Sequence, residues 1–355
     1  MSPLYSRRSK KSRVIDLAET DLFPAHSAPP LPNEISIIYR LFLYDKNPDR
    51  VLEKAPMKLR LVVLVSTDSS DIYFANQLVK RFNVVGVVAE KQQESVQTSS
   101  RIVKALKFMI QPRILTKRIF EEIGKWRVKK YGDKNNEINK KYFGEEGTRL
   151  FPADTCKIIY TEGRRTINKQ VYTEEIKKLK PDIIAVCGTS VLKKEILAIP
   201  PRGVINLHGG LAQEYRGVWT THWALINEQP EYIGATVHYV SEGIDDGHII
   251  YQGRPRIEMD DNPATLYVKV VKLGIAMMTQ AIQDIENDSV RRSPLLKKGN
   301  LYLEKMMTHE QIGNAWKRTE NGTIRQYLRE REERDAKVEL AIVNKFVQRS
   351  MENEN

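Results

Sequence analysis

Asn206 and His208 stand two residues apart in GVINLHGG (203–210), and Asp245 lies in SEGIDDGHII (241–250). Residues two apart on an extended segment point to the same side, so an amide and an imidazole would face one space together. Both can donate hydrogen bonds to an oxygen that becomes negative as an acyl carbon is attacked. Asp245 would hold the imidazole in one tautomer, stabilise its cation and pass on protons. The same three residues taken alone would equally suit a capped strand end with a satisfied histidine. Cys187 and Ser190 have no base beside them in sequence, which favours direct transfer over a covalent intermediate.

Other chemistries lack their residues. The loop STDSSDIY (66–73) contains no glycine, so the dinucleotide fingerprint is missing. GxxxxGK[ST], GxSxG and HExxH do not occur. Cys156 and Cys187 form no CxxC and have no histidine pair at ligand spacing, so neither a disulfide framework nor a metal site is expected. His222 and His238 read as structural histidines, His248 as a surface one, and Arg254 and Arg256 as solvated.

The elements that must position these groups come from hydrophobic period. LRLVVLV (59–65), VVGVVAE (84–90), DIIAVCG (182–188) and GVINLHG (203–209) are nearly continuous apolar runs of the kind buried parallel strands show. Between them IYFANQLVKRF, capped at Ser70 or Asp71, TEEIKKLK (173–180) and VLKKEIL (191–197) read as helices. IGATVHYV (233–240) and GHIIYQGRPRI (247–257) read as an antiparallel pair. After Pro263, the residues Leu266, Val270, Leu273, Met277, Ala281 and Ile285 recur at helical spacing. The fold class is therefore α/β: Rossmann-like, a mostly parallel sheet with helices on both faces, a helical basic insertion and a helical C-terminal tail. In an open sheet of this kind ligands sit beyond the carboxyl ends of the strands, where Asn206 and His208 would lie.

The chain has 57 Lys and Arg against 45 Asp and Glu, a formal charge of +12 over 355 residues. Arg7, Arg8, Lys10, Lys11 and Arg13 carry part of the excess, in an N-terminal arm (1–56) expected to be partly disordered around SAPPLPN (27–33). ISIIYRLFLY (35–44) could pack on the domain as strand or helix. Residues 101–150 carry a local excess of +8, interleaved with Phe108, Phe120, Trp126, Tyr131, Tyr142 and Phe143. That segment reads either as a nucleic-acid or phosphate-binding insertion or as a solvated helical insertion whose aromatics pack down. The stretch 203–257 is acidic by three charges. No apolar run reaches a membrane span and no secretory signal opens the chain, so a cytoplasmic protein without membrane contact is expected.

VINLHGGLAQEYRG (204–217), followed by GATVHYVSEGIDDGHIIYQ (234–252), resembles the family of 10-formyltetrahydrofolate-dependent formyltransferases. The shared pattern is Asn-x-His on a strand end, a loop closing in Tyr-Arg-Gly, a Thr-x-His strand and an apolar-Asp-x-Gly turn. The resemblance covers about 58–290 without the insertion. It implies Asn206, His208 and Asp245 as catalytic residues and 10-formyltetrahydrofolate as co-substrate. It also implies that the pterin ring is held by Gly188, Thr189, Ser190, Val191 and Leu192 and by the turn that includes Val240, Gly243 and Ile244. Tyr215 and Arg216 are the candidates for the acceptor side, an arginine suiting a phosphate. The frequent Pro-Ser-Leu-Leu-Pro reads Gly-Gly-Leu-Ala-Gln here (209–213), a different acceptor loop.

The resemblance implies three domains: the arm, a catalytic domain over 57–290 with its insertion at about 92–150, and a helical extension over 291–355. A helical tail in place of a basic barrel favours a small-molecule amine, a nucleotide-linked amino sugar, as acceptor. Methionyl-tRNA is the alternative, as is a non-catalytic interaction module. The apolar side of YLREREERDAKVELAIVNKFV (327–347) offers a face for a homodimer or for packing on its own domain.

Overall fold

A computed structural model describes residues 59–91 and 112–346. All of them belong to one of two units into which the chain divides, Pro56–Asn355. The arm, including 35–44, and Phe108 lie outside the described residues.

Four apolar runs become strands β1 (Leu61–Ser66), β2 (Val84–Glu90), β4 (Ile183–Cys187) and β5 (Val204–His208). Every residue of β1 and β2 is buried, as a strand covered on both faces must be. The helices between them are α1 (Ser69–Val79), α3 (Gln170–Lys178) and the single turn α4 (Lys194–Leu197). A short strand that the sequence pattern did not show, β3 (Lys157–Tyr160), extends the sheet beyond β2. The seven-stranded order is β3-β2-β1-β4-β5-β7-β8. The first five strands are parallel, while β7 (Ala235–Tyr239) and β8 (Ile249–Gly253) are antiparallel. The order reverses direction between β1 and β4, which opens a crevice beyond their carboxyl ends.

Helix α6 (Pro263–Glu286) starts in a capping box, with Asn262 accepting from the Ala264 and Thr265 amides. By length and composition it could cross a membrane, which corrects the expectation that no apolar run reaches a span, but 61% of its apolar window is buried inside the protein. Its apolar stripe, including Leu266, Val270, Leu273, Met277, Ala281 and Ile285, is buried in the main core with Leu207, Val237 and Ile250.

The insertion contains helix α2 (Pro112–Phe143). One stripe of it packs on α7 (His309–Glu320): Tyr131 stacks on Trp316 with ring centroids 5.0 Å apart. Tyr131 and Phe143 are buried as the packed-insertion reading requires, but Trp126 is 77% exposed. The tail forms α7, α8 (Thr323–Arg329) and α9 (Arg331–Glu339), shorter pieces than one continuous helix. Trp316, Tyr327 and Val338 are buried, and the chain beyond α9 lies along β8, with the Phe346 amide donating to the Gln252 carbonyl at 2.7 Å. This covers the sheet edge. The apolar side of the tail, apart from exposed Leu340, is thus used within the chain.

Arg254 corrects a sequence expectation. Its side chain is only 9% exposed and pairs with Asp335 and Glu339, because α9 closes over the end of β8. Arg256 is solvated, as expected.

Candidate active site

The period-two prediction places Asn206 and His208 on one side of β5, and the site is built outward from that side. Strand β7 pairs antiparallel with β5 in a register that sets His238 opposite Asn206 and Thr236 opposite His208. The chain then turns through 240–247 and delivers Asp245 back over the same spot with φ +48, a left-handed conformation that aspartate tolerates better than most residues.

There Asp245 lies between two imidazoles. Its Oδ2 is 3.3 Å from His208 Nδ1 and its Oδ1 is 3.5 Å from His238 Nε2. The Gly217 amide also donates to Oδ2 at 2.8 Å. Burial raises the carboxyl pKa, but His208, His238 and the Gly217 amide outweigh it and hold Asp245 well below the usual carboxylate range. Asn206 Nδ2 is 3.2 Å from His238 Nε2. His238 Nδ1 faces the Tyr239 carbonyl at 2.8 Å, so its Nε2 stands between the Asn206 amide and Asp245 Oδ1. His238, expected to be structural, therefore stands inside the polar group. The available signal was the second histidine of Thr-x-His, at the same two-residue spacing as Asn-x-His, but its register against β5 is a tertiary fact.

His208 is enclosed on its other side. Its Nε2 donates to the Tyr215 carbonyl at 2.7 Å, while its Nδ1 faces Asp245. Gly210 makes room for this contact: a Cβ there would stand 2.7 Å from His208 Nε2 and 2.8 Å from the Tyr215 carbonyl oxygen. The altered loop 209–213 is thus packed around the histidine, with Leu211, Ala212 and Gln213 buried.

The two acceptor-side candidates, Tyr215 and Arg216, both make contacts within the chain. The Tyr215 ring is buried and stacked on Tyr302, and its hydroxyl, with its pKa raised by burial, bonds Gln229 and Asn227. What Tyr215 gives the site is its carbonyl. Arg216 donates through Nε at 2.9 Å and Nη2 at 2.6 Å to the Ile244 carbonyl. It ties β6 (Tyr215–Gly217) to the turn that carries Asp245. Strand β6 pairs with β9 (Asn300–Tyr302), and both are too short to show in a sequence pattern.

The two expected cofactor loops come together. Leu192 is buried in a core cluster against which Val240 packs. Between them Gly188 and Gly243 are exposed, Val191 is 58% exposed, and Thr189 Oγ1 is buried without a partner among the described residues. Ser190 and Ile244 are half-buried. His222 is buried against the edge of Trp219, its pKa lowered to about 4 by burial, and His248 is exposed. Among the described residues no group of three or more His, Cys, Asp or Glu is arranged to hold a metal ion.

The formyl transferase family model matches residues 124–282, which include Asn206, His208 and Asp245. The chain is 33% identical over 154 residues to the methionyl-tRNA formyltransferase of Kosmotoga olearia, a match covering 42% of this chain and 49% of that protein. The methionyl-tRNA formyltransferase of Caldanaerobacter subterraneus subsp. tengcongensis is 32% identical over 144 residues, covering 40% and 43%. The chain thus spans about half the length of the curated relatives it matches. Among solved structures, a 4-N formyltransferase from Francisella tularensis is similar at 17% identity with a TM-score of 0.42, covering 73% of this chain and 87% of that one. A sugar N-formyltransferase from Shewanella sp FDAARGOS_354 is similar at 15% identity with the same TM-score and coverage. The segment that builds the Asn206, His208 and Asp245 group is thus the part of the chain that is similar to formyl transferases.

Proposed function

We propose that this protein transfers a formyl group from 10-formyltetrahydrofolate to a primary amine by direct attack. The observation that supports it most is the Asp245 carboxylate set between His208 and His238 with Asn206 beside them. Residues 188–192 and Val240, Gly243 and Ile244 would hold the folate. The unpartnered buried Thr189 hydroxyl suits a ring edge that bears donors and acceptors, and exposed Val191 suits its apolar face. The folate supplies the formyl carbon.

This chain's residues would do the rest. As the amine nitrogen bonds to the formyl carbon, the carbonyl oxygen takes up negative charge. The Asn206 amide and the His208 Nε2–H donate to that oxygen, His208 exchanging its bond to the Tyr215 carbonyl for it. Asp245 takes up the amine proton, the bond between the formyl carbon and the folate nitrogen breaks, and the same proton is handed on to that departing nitrogen, so bonds and protons balance.

The acceptor in this reading is a nucleotide-linked amino sugar, and the enzyme acts in the cytoplasm. Helices α7 to α9 pack back on the catalytic body, and that helical arrangement is what supports a small-molecule acceptor in this reading. A second reading, methionyl-tRNA, is favoured by the names of the curated relatives and by the exposed cations Lys125, Arg127, Lys129 and Lys130 on α2. Formyl-labelled 10-formyltetrahydrofolate incubated with a panel of such sugars and with charged tRNA separates them. Label in a sugar formamide supports the first acceptor, and label in methionyl-tRNA alone moves the acceptor to the second. No label anywhere, with no folate bound, contradicts formyl transfer.

A further inference from the structure

Glu90, the last residue of β2, is only 3% exposed, and the contacts of its carboxylate are backbone amides. Oε1 accepts from the Thr166 amide at 3.0 Å and the Ile167 amide at 3.2 Å, both in the connection from β3 to α3. Oε2 accepts from the Ser190 amide at 2.8 Å, in the connection after β4. At the next residue after Ile167, on the same loop, a second clamp repeats the arrangement: Asn168 Nδ2 donates to the Val191 carbonyl at 2.9 Å, and its Oδ1 accepts from the Lys193 amide at 2.8 Å. Ile167 is fully buried with Leu192 and Ile196, which locks the donor loop in place.

A buried carboxylate is costly unless its lone pairs are filled, and hydrogen bonds to a charged acceptor are the stronger kind. Here all of that bonding is aimed at two loops, and it fixes both ends of 190–193. The same stretch begins at Gly188, whose φ of +75 no residue with a side chain adopts cheaply. A loop that presents backbone groups to a ring must be fixed in advance, because ordering it on binding would cost affinity.

The geometry points to Glu90 and Asn168 as positioning residues for the co-substrate loop, holding residues 188–193 in the conformation that takes the pterin ring. This rests on the formyltransferase reading. Neither residue touches the catalytic group, so their effect falls on folate affinity rather than on the chemical step.

The test uses the full chain, with 5-formyltetrahydrofolate as a stable binding probe. Glu90→Gln keeps the shape but gives up one acceptor oxygen, so the Ser190 amide or the Thr166 and Ile167 pair loses its partner. Asn168→Ala is the second variant, at a half-exposed position where folding is safer. Each is expected to speed amide hydrogen exchange across 188–193 in the unliganded protein. Each should also weaken probe affinity and raise the KM for 10-formyltetrahydrofolate by about tenfold, the worth of one charge-assisted hydrogen bond for Glu90 and of two neutral ones for Asn168. Turnover at saturation and the acceptor KM should stay within about threefold, inside the spread of a single neutral contact. Unchanged loop exchange in both variants overturns the clamp. Faster exchange with unchanged probe affinity overturns its link to the co-substrate. If wild type binds no probe, the formyltransferase reading fails as well, and the exchange data still separate that failure from a failure of the clamp.

Discussion

Two buried aspartates at the same end of the same sheet carry opposite electrostatics. Asp71, at the start of α1, is bonded by the Ser66 and Ser70 hydroxyls and the Cys187 thiol. Burial pushes its carboxyl up to about 6, against the pull of the Ser66 bond. Asp245 is buried too, yet two imidazoles and an amide hold it ionised. Both lose water; only Asp245 gains groups that can become cations. Burial alone therefore makes a reluctant acid, and burial beside histidines makes a carboxylate that can manage a proton for a neighbour. The chemistry belongs to the second aspartate, and Asp71 reads as packing between the β1 and β4 connections.

The largest way to break that contrast is to remove the imidazole that Asp245 serves. His208→Ala should lower kcat/KM for formyl transfer about a thousandfold, the scale of a lost acid and oxyanion donor together. Asn206→Ala removes one donor and should cost about a hundredfold in kcat, read in the same assay. For His238→Ala we expect about tenfold, because the ring orients Asn206 and shares Asp245 without facing a reacting atom.

A stability series sharpens the other half. Arg254→Ala removes a buried guanidinium from Asp335 and Glu339, which keep Tyr327, Arg331 and Lys345 as partners, and should lower the unfolding free energy by about 2 kcal/mol, seen in urea titrations, with turnover near wild type. Asp71 predicts a pH signature. Its folded value is above the ordinary 3.8, so between about pH 4 and 6 the folded state binds more protons than the unfolded one. Stability from this group is present below that window and is lost as pH rises through it. Asp71→Asn should remove that fall, worth on the order of 3 kcal/mol, in urea unfolding at pH 4 and pH 7.

Much of this fold was legible because its signals are local. The runs at 61–66, 84–90, 183–187 and 204–208 read as buried strands with no knowledge of their partners, and the stripe of α6 is set by helical spacing. Asn206 and His208 share a side by the strand period alone. His238 entered the site through a cross-strand register, and Asp245 through a left-handed turn, neither of which is written in spacing. The surroundings of Tyr215 and the burial of Arg254 were not legible for a related reason. Their polar ends are satisfied by Gln229 and Asn227 and by Asp335 and Glu339, residues that only the folded chain brings near.

The most direct test sets the two aspartates side by side: formyl transfer from 10-formyltetrahydrofolate by Asp245→Asn and by Asp71→Asn, at equal protein concentration and neutral pH. We predict a loss of about a thousandfold or more for Asp245→Asn and a rate within about threefold of wild type for Asp71→Asn. Equal losses, or full activity in Asp245→Asn, would contradict the assignment of the site.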